Sequence, residues 1–260
     1  MLILSMESSA KPASVAVCSD GELLGQYFQK SGLTHSRTLL SMAESLLKNL
    51  EISAAEIGLV AVSRGPGSFT GVRIGVSAVK GLAWGLDKPV CGVSTLEAMA
   101  YQAPEPGTLL CPVMDARRNQ VYSALFEWRN GTLIRLCNDR AISLTDLAAN
   151  LQTLTTSPPL DSSSTLLNNY ELPTSNNSEF RIPNSEFPTS VLLIGDGAAI
   201  SYDYLSTVGI TCRIAPDLIR WQTAYGVALA ALNAEPVSAI ELEPSYLRPS
   251  QAEREHMDRK

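Results

Sequence analysis

Ile57-Gly58-Leu59-Val60-Ala61-Val62-Ser63-Arg64-Gly65-Pro66-Gly67-Ser68-Phe69-Thr70-Gly71-Val72-Arg73 is the stretch that decides the fold. Ile57 to Val62 is a continuous apolar run, the pattern of a strand buried on both faces. Gly65-Pro66-Gly67 breaks the chain, and Ser68 or Thr70 caps a helix that runs to about Trp84. Upstream, Met1 to Glu7 reads as a short strand. A second strand, Ser14 to Cys18, meets a third through Asp20-Gly21, a favoured two-residue hairpin turn. Thr34 can cap a helix running to about Leu50. Downstream, Pro89 to Val93 forms a further strand, and a helix starts from Ser94. The order is βββαβα.

The second half repeats it. Leu109 to Met114 and Val121 to Trp128 read as strands, and Asn130-Gly131 turns the chain into a third. Ser143 caps a helix, Val191 to Ile194 is a buried strand, and a helix follows Gly195-Asp196-Gly197. Thr211 to Ile214 and a helix near Leu218 to Asn233 complete the lobe. Two βββαβα halves predict a duplicated α/β fold of the two-lobed, actin-like kind (ASKHA, ribonuclease H-like). The expected lobes are residues 1–103 and 104–250, followed by a charged tail at 251–260. Residues 155–190 are dominated by Ser, Thr, Asn and Pro and bury too little apolar surface to offset their ordering entropy. They are expected to form a disordered loop insertion.

Bulk properties narrow the chemistry. The net charge of −6 gives no global attraction to phosphate backbones, so work on RNA would need another component to hold most of it. The five cysteines are odd in number, scattered and lack a C-x-x-C pair, which points to free thiols in a reducing cytoplasm. The first residues read as a strand without the basic n-region of a signal peptide. No uncharged apolar run reaches the roughly 18 residues of a membrane span. Histidine occurs only at His35 and His256, so a His-based metal site is not expected.

Arg64 to Arg73 lies between a buried strand and a helix, where exposed N–H groups and the helix dipole favour an anion. No Gly-Lys-Ser/Thr closes it, so it is not a Walker A loop. A tight turn with a capped helix explains it as well. Other motifs accompany it in order: Glu7-Ser8-Ser9, Thr34-His35-Ser36-Arg37, Met114-Asp115-Ala116-Arg117-Arg118, Gly195-Asp196-Gly197-Ala198 and Tyr246-Leu247-Arg248. Together they resemble the TsaB family over both lobes, except the insertion and the tail. The resemblance implies a non-catalytic dimerisation subunit that pairs with a related catalytic subunit, TsaD, and an ATPase, TsaE. That assembly transfers threonylcarbamoyl to an adenosine beside the tRNA anticodon. It further implies self-association when the chain is alone, tRNA contact only through the complex, and no membrane. No cofactor would be bound tightly, with ATP or ADP at the complex interface.

The catalytic relative holds a metal with a His-x-x-x-His pair, a spacing that shares one helix face. The corresponding stretch here, Val93 to Met99, puts Thr95 and Met99 in those positions, so neither a metal site nor a catalytic residue is expected. Glu7, Ser8, Ser9, Asp115, Gly195, Asp196 and Gly197 are read as a vestigial nucleotide cleft, because Ser8-Ser9 replaces the glycine-containing turn used for close phosphate approach. Two alternatives stand beside this reading: an ATP-dependent small-molecule kinase of the same fold, and a self-associating binding protein with an unrelated partner.

The first two helices carry the case for a partner. Leu39, Leu40, Met42, Ala43, Leu46, Leu47 and Leu50 spread wider than the about 100° arc that one sheet requires. Between Phe69 and Trp84 only Arg73 and Lys80 are charged. Gly71, Gly75 and Ala78 leave a nearly flat surface, and each helical glycine costs about 1 kcal/mol that close packing would offset. The expected interface comprises His35, Leu39, Met42, Ala43, Leu46, Leu47, Phe69, Thr70, Gly71, Arg73, Gly75, Val76 and Val79. Gly75 is expected where two helix backbones approach, with Leu46 beside it. Coverage of both helices by the chain itself is the alternative.

Replacing residues 155–190 with a short Gly-Ser bridge is expected to move Tm by no more than about 3 °C, since loop closure entropy varies slowly with length. A thermal melt with a larger drop would make the segment structural.

Overall fold

The structure is a computed structural model that describes residues 1–156 and 190–248. The expected insertion at 155–190, apart from its first two residues and its last, and the tail at 251–260 lie outside the described residues. The chain forms two compact units, Met1–Gln102 together with the chain from Trp221 onward, and Ala103–Arg220.

In the first unit β1 (Leu2–Glu7), β2 (Ala13–Ser19) and β3 (Glu22–Gln29) make an antiparallel meander. Asp20 (φ 47°) and Gly21 (φ 90°) supply the left-handed backbone that a tight hairpin turn requires. β4 (Leu59–Gly65) and β5 (Val90–Ser94) join in parallel, giving the order β3-β2-β1-β4-β5. Three helices follow from the sequence as expected: α1 (His35–Asn49), α2 (Phe69–Leu86) and α3 (Thr95–Tyr101). Ser68 caps α2 by accepting from Gly71 N–H, and Ser94 caps α3 by accepting from Glu97 N–H.

The second unit contains β6 (Leu109–Arg117), β7 (Gln120–Ser123), β8 (Phe126–Arg129), β9 (Thr132–Arg135) and β10 (Arg140–Ser143). After α4 (Leu144–Thr156) come β11 (Val191–Ile194), α5 (Ala198–Thr207), β12 (Cys212–Ile214) and α6 (Asp217–Arg220). Its main path, β10-β7-β6-β11-β12, has the same order and directions as the first sheet. This is the expected duplication, with one correction. The strand after Asn130-Gly131 is β9, which pairs only with β8 as a side hairpin; the third strand of the repeat is β10, against β7.

The last helix, α7 (Ala224–Ala231), returns to the first unit. The expected boundary at 250 therefore moves to Arg220. The reason lies in strand alternation. Leu4, Met6, Val15, Val17, Val60 and Val62 face one way and pack with α1 and α2 residues such as Leu39, Leu46, Val76 and Val79. Ile3, Ala16, Cys18, Leu59 and Ala61 face the other way, and α3 alone is short; Ala224, Val227, Ala228, Ala230 and Ala231 of α7 complete that layer. Each fully buried Val or Leu contributes about 1.5–3 kcal/mol, so a bare sheet face would be costly.

Gly226 is where α7 meets α3. A Cβ there would overlap the Ala98 carbonyl and stand 2.8 Å from Gln102 Cγ. Alanine in place of a helical glycine ordinarily stabilises by up to about 1 kcal/mol. Gly226→Ala is expected to do the opposite, lowering stability by about 3 kcal/mol in a denaturant titration.

Candidate partner-docking site

β1 ends in Glu7-Ser8-Ser9, all buried. Ser9 N–H donates to Glu7 Oε1 at 2.5 Å, Ser8 Oγ donates to Gly71 O at 2.9 Å, and Ser68 N–H donates to Ser9 O at 2.6 Å. The turn can lie this close to α2 because glycines face it. A Cβ at Gly67 would stand 2.8 Å from Ser9 Cβ, and one at Gly71 or Gly75 would overlap Ser8. Burial pushes the Glu7 carboxyl up, against the opposing pull of the Ser63 and Ser9 hydroxyls, the Ser9 N–H and His35. Glu7 Oε2 still lacks a hydrogen bond of good geometry.

This turn does not fit a phosphate: its N–H serves Glu7 and its backbone is covered by α2. In the second unit Asp115 and Gly195-Asp196-Gly197 come together. Gly197 N–H donates to Val113 O at 3.1 Å, and a Cβ on Gly197 would stand 3.0 Å from Asp115 N. Asp115 Oδ1 accepts the Arg117 N–H at 2.8 Å, and Oδ2 faces the Arg117 guanidinium at 3.3 Å, so the hairpin itself engages this carboxylate. Thr95 and Met99 are buried. Among the described residues no group of three or more His, Cys, Asp or Glu is placed to hold a metal ion. No helix of the described residues is long and apolar enough to cross a membrane.

The interface expected on α1 and α2 is corrected in its facing. Leu39, Met42, Ala43, Leu46, Leu47, Val76 and Val79 are core residues of the first unit. Gly75 faces the sheet, with Val62 Cγ2 3.2 Å from the position of a Cβ, and Gly71 faces Ser8. The close backbone approach inferred from these glycines exists, but its partner is the chain's own β1–β2 turn. His35 is half-buried, and its Nε2 donates to Ala10 O at 2.8 Å. Phe69 is half-buried; Thr70 and Arg73 are exposed.

The outward row of α2 is Thr70, Ile74, Ser77 and Gly81, then Trp84 and Gly85 three and four residues beyond Gly81, and so on one face. Among the described residues nothing lies within 4 Å of a Cβ built at Gly81 or Gly85, and Trp84 is 68% exposed. On α1, Leu40 is 49% exposed. Sequence reasoning missed Ser77, Gly81, Trp84 and Gly85. The available signal was the phase of Trp84, about 100° round the helix from the stripe of Val72, Val76, Val79 and Ala83.

Fold and site together define a duplicated, actin-like α/β protein whose first unit presents a helical face that is exposed among the described residues. A family model described as "TsaD: tRNA N6-adenosine threonylcarbamoyltransferase" matches residues 29–255, and the chain belongs to this family. Curated relatives named "tRNA threonylcarbamoyladenosine biosynthesis protein TsaB" include one from Bacillus subtilis, 35% identical over 146 residues, covering 56% of this chain and 64% of that one. One from Escherichia coli is 37% identical over 129 residues, covering 49% and 55%. The chain thus spans less than two thirds of the length of these relatives. The solved structure "YeaZ from Pseudomonas aeruginosa" matches with a TM-score of 0.68 at 22% identity, over 95% of this chain and 99% of that one, and shares the fold.

The raised Glu7 pKa gives a signed expectation. A carboxyl whose folded pKa lies above its unfolded one favours folding at low pH, and this contribution is lost as pH rises through the folded value. Glu7→Gln loses nothing in that window. Its Tm should gain on the wild type as pH rises above the ordinary carboxylate range; a constant difference across the titration would contradict the burial of a charged carboxylate.

Proposed function

We propose that this chain is a non-catalytic subunit in tRNA threonylcarbamoyladenosine biosynthesis, and that the outward face of α1 and α2 docks a related catalytic subunit of the TsaD type. The outward row of α2 carries the proposal. Open glycines and a serine beside an exposed Trp84 give a surface where a partner helix comes close while one aromatic supplies contact area. A large exposed Trp contributes nothing to the chain's own core, and such features mark interaction sites. Family membership supports a partner of the same descent. The buried Leu39, Met42, Ala43, Leu46, Leu47, Gly71, Gly75, Val76 and Val79 support this face from behind, Thr70 begins it, and His35, Phe69 and Arg73 flank it.

In this reading a TsaE-type ATPase joins the pair, tRNA is met through the complex in the cytoplasm, and the isolated chain self-associates through the same face. The crowded turn at Ser8-Ser9 supports weak nucleotide binding by the chain itself, so ATP or ADP belongs at the complex interface. Thr95 and Met99, packed in the core, support the absence of metal chemistry.

Reconstitution with the TsaD-type and TsaE-type subunits tests the proposal. The isolated chain should transfer no threonylcarbamoyl to tRNA, and the complex should. Ser77→Arg, folded by circular dichroism, should weaken the subunit pair at least about 100-fold. Transfer by the isolated chain, or wild-type pairing by S77R, would overturn it.

A further inference from the structure

Two motifs from distant parts of the sequence meet on the flank of α2. The segment from Val237 to Ser245 is tied down along its length: Val237 bridges Val90, the Ile240 and Leu242 carbonyls accept from Lys80 Nζ at 3.0 Å each, and Ser245 N–H donates to Arg64 O at 2.6 Å. Gly65 has no room for a Cβ against the Ser245 carbonyl. The segment therefore contacts the chain just before the glycine-rich motif's turn and delivers Tyr246 to its far end. There the Tyr246 and Phe69 rings lie 4.7 Å apart, the Arg73 guanidinium sits 3.8 Å over the Phe69 ring, and Arg73 Nε donates to Tyr246 Oη at 2.8 Å.

We infer that Tyr246 is a positioning residue for Arg73, and that the guanidinium so fixed reads a carboxylate on the protein partner. The inference rests on the docking reading above and adds the chemistry of its rim. Arg73 is one turn from Thr70 and Ser77, so whatever covers the outward row of α2 also meets it. Its guanidinium face is held on the Phe69 ring and its Nε on Tyr246 Oη. Among the described residues Arg73 makes no ion pair, which leaves its Nη groups for an outside acceptor. A planar guanidinium matches a carboxylate with two parallel hydrogen bonds, and holding it in place beforehand lowers the entropy lost on binding. Stacking on an aromatic ring with a bidentate edge is a role that lysine does not fill. A nucleic-acid phosphate is the less favoured acceptor: one fixed cation beside a small, apolar helical row, on a chain of net charge −6, is not a backbone-binding footprint.

The test is the affinity of the full-length chain for its TsaD-type subunit at low and high salt, with Arg73→Lys, Tyr246→Phe, their combination, and S77R as the control for the docking reading. R73K should weaken binding about 10-fold and flatten its salt dependence. Y246F, which keeps the ring stack, should weaken it about 3-fold, with the double variant no worse than R73K. The Arg73 Nε–H resonance should exchange slowly in the wild type and rapidly in Y246F, a change that a merely structural tyrosine would not produce. Wild-type affinity for R73K while S77R fails to bind overturns the inference and leaves the docking reading standing. Wild-type binding by S77R fails the docking reading, and the carboxylate role with it. Unchanged Nε–H exchange in Y246F overturns the positioning role in either case. Normal subunit pairing with weakened tRNA binding in R73K would reassign the guanidinium to phosphate and equally overturn the proposal.

Discussion

Much of the first unit follows from how closely the β1–β2 turn lies on the start of α2. Ser8 and Ser9 sit where Gly67, Gly71 and Gly75 have no side chains, and the hydrogen bonds Ser8 Oγ to Gly71 O and Ser68 N to Ser9 O exist only at that separation. Once those glycines face inward, helical geometry leaves little choice elsewhere. Val72, Val76, Val79 and Ala83 fall on the sheet, while Ser77, Gly81 and Trp84 fall outside. At the same turn Ser9 N–H, a donor of the kind a phosphate would need, is taken by Glu7 Oε1.

Glu7 sits at the centre of this contact and shows its cost. A carboxyl with one oxygen bonded to Ser9 N–H and the other unsatisfied is expensive to ionise in the interior, and burial dominates over its polar neighbours. In the second unit the corresponding strand carries Asp115 two residues from its end, half-exposed and answered by its own hairpin through Arg117. The repeats share strand order but have parted at these two carboxylates, one closed in by a helix and one occupied by a turn.

Most of the framework was legible because periodicity and turn chemistry are local. Asp20-Gly21, the Ser68 and Ser94 caps, and the apolar runs at β4 and β11 each carry their signal within a few residues. The facing of α2 was not legible. Its core side is built of glycine, valine and alanine, its outer row of threonine, isoleucine, serine, glycine and one tryptophan, and a helix with only two charges gives the hydrophobic pattern little to turn on. A glycine in a helix reports close approach by something without saying by what; Gly75 met Ser8, not a partner. On α1, Glu44, Lys48 and Asn49 mark the outside, but its apolar arc is wide enough to suggest a second contact, and Leu39, Met42, Ala43, Leu46 and Leu47, expected at an interface, are core. Two further features depend on distant contacts and left no local trace. β9 belongs to a side hairpin because β10 occupies the edge of β7, and α7 belongs to the first unit because Ala98 and Gly226 fit one another.

The return of α7 carries a temporal consequence. A ribosome releases the chain from its first residue, so all five strands of the first sheet emerge before a single residue of the second unit is complete. The face bearing Ile3, Ala16, Leu59 and Ala61 then waits, covered only by the short α3, until Ala231 has cleared the exit tunnel. The second unit, uninterrupted from Ala103 to Arg220, has everything it requires earlier. The half of the protein made first is therefore the half finished last, with an apolar sheet in need of shelter while the other half folds.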